Sequence, residues 1–231
     1  VYGAMRPAPV QAPTAELPLP AGSYSEQADY YDIAANYATS TPLARSADAT
    51  AISLMQAFVS DTITQFKTDG NFANLTEEDI TVMGYDQGRK QQLQILYLIA
   101  SSGRTVSYIF TIYEDTLGAH GNTFFKTFTF DKTSGTALAL ADLFASDAAY
   151  LTTLSQISRA RLAGVIGNGA DTAFIQDGTT PEDKSFGNFF FDGNSLVILF
   201  PPYQVAPYSA GPQTLRIPLS NLSSILKPEY R

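Results

Sequence analysis

The residues able to do chemistry are few and scattered. His120 is the single histidine of the 231-residue chain and stands in Leu117-Gly118-Ala119-His120-Gly121-Asn122. A serine triad or a zinc centre would have to be built around it. Zinc takes several His or Cys ligands, and cysteine is absent. A triad would need a serine on a G-x-S-x-G elbow, and no such motif occurs. Between small residues at the start of a strand, His120 reads as a turn residue. Glu77-Glu78-Asp79 and Glu114-Asp115 are adjacent carboxylates. Such a pair can hydrolyse a glycosidic bond when burial raises one pKa. The first group follows Asn74-Leu75-Thr76 and reads as a solvated helix N-terminus, where negative charge is favoured. The second ends a strand, where neighbouring side chains point to opposite faces. Asp171, Asp177, Glu182 and Asp183 crowd one glycine-containing loop. Calcium accepts such oxygens, but the spacing is not that of an EF-hand, and acidic surface loops are common. Asn74-Leu75-Thr76 and Asn221-Leu222-Ser223 match the glycosylation sequon, which matters only in a eukaryotic secretory pathway.

The most unusual segment is Phe200-Pro201-Pro202-Tyr203-Gln204-Val205-Ala206-Pro207-Tyr208-Ser209-Ala210-Gly211-Pro212. Its prolines stiffen the connection, and Gly211 permits a sharp reversal. Tyr203 and Tyr208 would present flat amphipathic faces to a sugar or a protein partner. The alternative is a rigid crossover whose aromatics pack on their own sheet.

Composition narrows the classes. Fourteen basic against 22 acidic residues give a net charge of −8. No basic stripe exists to neutralise phosphates, which argues against nucleic acid as a ligand. The absence of cysteine excludes disulfides, thiol catalysis and cysteinyl metal sites. No span approaches the roughly 18 to 20 apolar residues of a membrane helix. There is no charged segment followed by an apolar run, so no signal peptide is expected. The chain starts at Val1 rather than Met, and a removed upstream segment is expected.

The elements that must position these residues follow from periodicity. Residues 1–25, with Pro7, Pro9, Pro13, Pro18 and Pro20, read as a flexible Pro-rich linker favouring polyproline II. Tyr31, Ile33, Ala35 and Tyr37 alternate as in a strand. Ile52, Met55, Val59, Ile63 and Phe66 recur at helical spacing over 47–67, with Ser46 or Asp48 as cap and Gly70 near the end. Leu93–Ile99 and Val106–Ile112 alternate around Ser101-Ser102-Gly103, a hairpin signal. A short strand is expected at 80–85. Another runs over 122–130 with Phe124, Phe128 and Phe130 inward and Lys126 on the same face. A second helix starts near Ser146 or Asp147, with Leu151, Leu154, Ile157, Leu162 and Val165 inward. Residues 171–187 read as loop with a short helical piece. Strands over 188–192 and 195–200 join at Asp192-Gly193-Asn194. A strand at 213–218 and a helix at 219–226 close the chain. Hairpins dominate, so the fold class is α+β: mainly antiparallel sheets covered by helices, in two lobes over 26–116 and 117–231.

Five motifs carry a family resemblance. They are Gly118-Ala119-His120-Gly121-Asn122-Thr123, Thr127-Phe128-Thr129-Phe130-Asp131, Leu140-Ala141-Asp142-Leu143-Phe144, Asn188-Phe189-Phe190-Phe191 and Phe200–Tyr208. On them the chain resembles the extracytoplasmic domain of RsiV-type anti-sigma factors, which also occurs in the non-catalytic part of PdaC-type peptidoglycan deacetylases. The resemblance covers most of 118–226, and 31–67 fits the companion domain that precedes it in the family. It implies an α+β fold and an envelope-facing bacterial setting: extracytoplasmic, secreted or lipid-anchored through a removed N-terminus. RsiV-type domains bind lysozyme, so a basic protein or peptidoglycan is the implied partner. The family supplies no catalytic residues to carry over. Neither a deacetylase metal cluster nor a sigma-factor-binding segment is visible in the sequence.

The expected function is therefore a non-enzymatic binding module for a basic, lysozyme-like protein or a cell-wall ligand. Tyr203, Gln204 and Tyr208 are the expected ligand contacts, with no metal and no cofactor. The alternative is a hydrolase acting on cell-wall glycan through a carboxylate pair.

Overall fold

A computed structural model describes residues 21–146 and 148–231. It contains strands β1 (Ala21–Gln27), β2 (Tyr31–Ala38), β3 (Gln91–Ser101), β4 (Thr105–Asp115), β5 (Asn122–Asp131), β6 (Ala137–Leu138), β7 (Phe189–Asp192), β8 (Ser195–Phe200) and β9 (Gln213–Pro218). The helices are α1 (Arg45–Gly70), α2 (Glu77–Met83), α3 (Tyr150–Ile166) and α4 (Thr172–Gly178), with short 3-10 turns between elements. Strands β1 to β6 follow one another in a six-stranded sheet and β7 to β9 in a three-stranded one. The fold is α+β. Of the expected linker, residues 1–20 lie outside the described residues, and 21–25 belong to β1. The chain divides into two compact units. Of the described residues, 21–97 and 110–124 make one, and 98–109 with 125–146 and 148–231 make the other.

In the first unit, β1 and β2 pair antiparallel. Strand β2 then pairs parallel with β3 over Tyr31–Ala35, within sheets expected to be mainly, not wholly, antiparallel. Parallel neighbours cannot be joined by a tight turn, and α1 and α2 supply the crossover. Helix α1 buries Ala51, Met55, Val59 and Phe66. Phe58 meets the Phe110 ring edge-on at 5.5 Å. Neither Ser46 nor Asp48 caps α1: Ala44 takes that place without a side-chain bond, and Asp48 Oδ1 accepts from Thr41 N at 2.5 Å. The strand expected at 80–85 is instead α2. Thr76 and Asp79 form a reciprocal capping box there, which satisfies orphan amide donors that a strand would not provide.

In the second unit, β7–β9 form an antiparallel meander; β7 and β8 are buried on both faces, while β9 alternates buried and half-buried residues. Phe189, Phe191, Leu196, Ile198, Phe200, Leu215 and Ile217 join Leu154 and Leu162 of α3 in one core. Phe190, Val197 and Leu199 pack with Ala100, Ile109 and Phe125 in another. Burial on both faces explains why Leu196–Phe200 is apolar without alternation. Val165 of α3, expected inward, is exposed. The expected terminal helix is a 3-10 turn over Leu219–Asn221, followed by a bridge from Leu226 to Phe144.

The register of β5 is corrected. Its buried face carries Thr123, Phe125, Thr127 and Thr129. Of the expected inward set only Phe130 is buried; Phe124 is exposed, Phe128 is half-buried, and the Lys126 ammonium lies 5.3 Å from the Phe128 ring centre. The threonines point inward because they have partners. Thr127 Oγ1 accepts from Phe189 N at 3.0 Å, and Thr129 Oγ1 donates to Phe189 O at 3.2 Å. Ser107 Oγ is 2.9 Å from Thr129 Oγ1 and must be the donor there, since the Thr129 proton is already used.

Candidate functional site

The Pro–Tyr segment starts where β8 ends. Gln204 N donates to Pro201 O at 3.2 Å, closing a turn with Pro202 second and Tyr203 third. Tyr203 has φ +70°, the position where such a turn normally takes glycine or asparagine. Its side chain is 53% exposed, and its ring lies 5.5 Å from that of half-buried Tyr208, tilted by 35°. Val205 and Ala206 are buried beneath. Gln204 faces inward too: Nε2 donates to Gly178 O and Ser185 O, both at 2.9 Å. Of the three expected contacts, the tyrosines stand side by side, and Gln204 holds the turn against the end of α4. A Cβ on Gly178 would fall 1.8 Å from Gln204 O, so this approach requires glycine. Thr179 anchors α4 in turn, accepting from Arg159 Nε at 3.2 Å and, through its carbonyl, from Ser155 Oγ at 2.6 Å.

The candidate acid groups are dispersed. His120 is exposed, with Nδ1 3.1 Å from Gly121 O. It lies in the turn between β4 and β5, where Leu117 takes φ +64°. Asp115 accepts from Leu117 N at 2.8 Å. Burial pushes the Glu114 carboxyl up, and the charge of Asp69 pushes it further. Asp171 caps α4, accepting from Ala173 N and Phe174 N. Asp183 accepts from Tyr150 at 2.8 Å, and Glu182 pairs with Lys184 at 3.1 Å. Among the described residues, no three His, Asp or Glu converge as a metal site would require.

A buried polar centre holds the turn after β5. Burial works against the charge on Asp131, yet its pKa is lowered. Ser134 N, Arg104, Thr133 N and Tyr230 all donate to it. Burial, with the Asp131 charge, pushes the Tyr230 hydroxyl up to about 12. Every oxygen here is engaged in structure.

A groove of about 420 Å³, which no motif or spacing foreshadows, is lined by Tyr24, Tyr37, Gln56, Val59, Ser60, Ile63 and Thr64. It draws on β1, β2 and α1, forty residues apart at the extremes. Its polar and apolar members fall on two adjacent helical stripes, 56/60/64 and 59/63. At its edge Glu26 accepts from Tyr24, from Tyr31 at 2.5 Å and from Lys67 at 2.5 Å. Hydrogen bonds from Lys67 and the two tyrosines hold the Glu26 carboxyl at about 2.

Comparison with known proteins bears on residues 141–220, which match the family described as a protein of unknown function, DUF3298. The matched span contains the whole Pro–Tyr segment. The chain is also 30% identical over 196 residues to the peptidoglycan-N-acetylmuramic acid deacetylase PdaC of Bacillus subtilis (strain 168). That alignment covers 84% of this chain and 40% of the deacetylase, so the chain spans well under half of that relative. A DUF3298 family member from Bacteroides fragilis NCTC 9343 superposes with a TM-score of 0.66 at 15% identity, covering 94% of this chain and 96% of that one. A DUF3298 family protein from Pseudomonas aeruginosa PAO1 superposes at 0.54 and 17%, covering 93% and 97%. The fold is shared with both. At such identities only the fold is carried across. Among the described residues, no helix is long and apolar enough to cross a membrane.

Proposed function

We propose that this chain is a non-enzymatic binding module of the bacterial envelope whose partner is a basic protein of the lysozyme kind. One observation carries the reading: Tyr203 is an exposed aromatic held at positive φ beside a second tyrosine. Such strain costs stability, persists only where the surroundings enforce it, and clusters at ligand contacts. Gln204, Gly178 and the flanking prolines are that enforcement. The net charge of −8 favours encounter with a cationic partner. The RsiV-like motifs support the same partner and an extracytoplasmic location, with the chain secreted or lipid-anchored.

Titration of basic lysozyme against the wild type, Tyr203→Ala and Tyr208→Ala, at low and high salt, tests this. Association slows as salt rises, because steering between exposed charges is screened. Each alanine variant speeds dissociation and leaves the on-rate nearly unchanged. Absence of lysozyme binding at low salt removes that partner.

A second reading, a cell-wall ligand, is favoured by the peptidoglycan deacetylase relative. Sedimentation with isolated peptidoglycan distinguishes it. The hydrolase alternative has one observation behind it, the raised Glu114 carboxyl near Asp69. Release of reducing sugar by the wild type but not by Glu114→Gln would establish that activity.

A further inference from the structure

We infer that the groove between the β1–β2 pair and α1 binds an uncharged saccharide. This site is separate from the Tyr203–Tyr208 pair and does not depend on the reading given to it. The lining holds no charged side chain, which disfavours phosphates, carboxylates and metal ions. Beside Tyr24, Glu26 pairs with Lys67 at 2.5 Å, so the two charges offset each other.

What the groove offers is ring faces and hydroxyls. In the β1–β2 register Gly22 opposes Tyr37 and Tyr24 opposes Ala35. Residues two apart share a face, so Tyr24 and Tyr37 are diagonal neighbours on one side of the sheet, within aromatic reach. Each ring is held in advance. A Cβ on Gly22 would come within 2.2 Å of the Tyr37 ring, so that ring rests on bare backbone. The Tyr24 hydroxyl is tethered by donating to Glu26. Opposite stand Gln56, Ser60 and Thr64, at helical spacing of four. Gln56 Nε2 donates to Ala38 O at 3.1 Å, which orients the amide. Thr64 Oγ1 donates to Ser60 O at 2.9 Å, so toward a ligand it acts as an acceptor. Val59 and Ile63 complete the apolar part of the lining.

A pyranose has an apolar C–H face for stacking and a rim of hydroxyls that both donate and accept. A purely apolar ligand would leave Gln56, Ser60 and Thr64 without compensation for lost water. The volume, about 420 Å³, lies within the usual range for small-molecule sites.

Calorimetric titration of the full chain with two neutral trisaccharides, one of N-acetylglucosamine and one of glucose, tests the site. At least one binds, with an affinity that does not change with salt. Tyr24→Ala removes a stacking face, and Ser60→Lys fills the groove from an exposed helical position without disturbing the core. Each weakens binding about tenfold or more, while Tyr203→Ala leaves it unchanged. Circular dichroism confirms that the variants fold. Absence of binding by the wild type up to roughly 10 mM of both sugars, weaker than any useful site, overturns the inference. So does an affinity indifferent to both Tyr24→Ala and Ser60→Lys, or one lost with Tyr203→Ala instead.

Discussion

In the Pro–Tyr segment, two tyrosines five positions apart are brought to a ring distance of 5.5 Å by the chain that links them. In the groove, Tyr24 and Tyr37 come from different strands and are neighbours only because Gly22 pairs with Tyr37. The first arrangement is local and strained; the second is assembled and relaxed. Both depend on a glycine at the point of closest approach, yet the obstacle differs. At Gly178 it is the backbone oxygen of Gln204, at Gly22 the ring of a side chain. A backbone cannot step aside and a ring can, so the two surfaces should respond differently to one added methyl.

Gly178→Ala is expected to have the largest effect, lowering stability by about 3 kcal/mol, the upper end for overpacking. Chemical denaturation measures it, and a loss below about 1 kcal/mol would mean that the Gln204 turn is free to move. Gly22→Ala should cost about 1 kcal/mol, because the Tyr37 ring can rotate away. Its signature is functional: saccharide binding falls while the fold stands. Equal losses at the two glycines would erase the distinction between backbone and ring obstacles.

Tyr203→Gly isolates the strain. Removing the Cβ from a positive-φ position relieves roughly 1 kcal/mol, offset by the lost contact with Tyr208. Stability should hold or rise by up to about 1 kcal/mol while lysozyme dissociates faster. A clear loss of stability would mean that the ring, not the turn, holds the segment.

The smallest effect is electrostatic. The Glu26 carboxyl titrates at about 2 in the folded chain rather than at 4.5. Its contribution is complete above pH 4.5 and disappears as pH falls toward 2. Lys67 is shifted upward, mainly by its bond to Glu26, so its share is complete below pH 10.5 and is lost above. Protection of the β1–β2 amides should fall across the acid window in the wild type and stay level in Glu26→Gln. Identical acid profiles would show that the charge on Glu26 contributes nothing to the β1–β2 pair.

The same local-versus-assembled contrast governs what the sequence could reveal. The strands β7, β8 and β9, the β3–β4 hairpin and the Tyr203–Tyr208 pair are legible because their signals lie within a dozen consecutive residues. Hairpin turns and proline runs act on the chain next to them. The register of β5 was not legible, because Phe124, Phe128 and Phe130 look more buried than three threonines. The partners that favour the threonine face, Ser107 and Phe189, are 22 to 62 residues away. The start of α2 was legible in the acidic run Glu77-Glu78-Asp79, but its continuation over 80–83 was not, and a strand was expected at 80–85 instead. The groove left no trace, since Tyr24, Tyr37 and Ser60 share no spacing. A glycine opposite a tyrosine is visible only after pairing is known.

The bonding at Phe189 has a consequence for how this molecule would look under isotope labelling. Strand β7 stands at one end of its sheet order, so the Phe189 amide finds its acceptor in a threonine hydroxyl rather than in a neighbouring strand. Its deuterium uptake would therefore report one event alone, separation of β7 from β5, whereas amides paired within β7–β9 would also report melting of the meander. A single resonance thus times the parting of two layers within one unit, a clock set by Thr127.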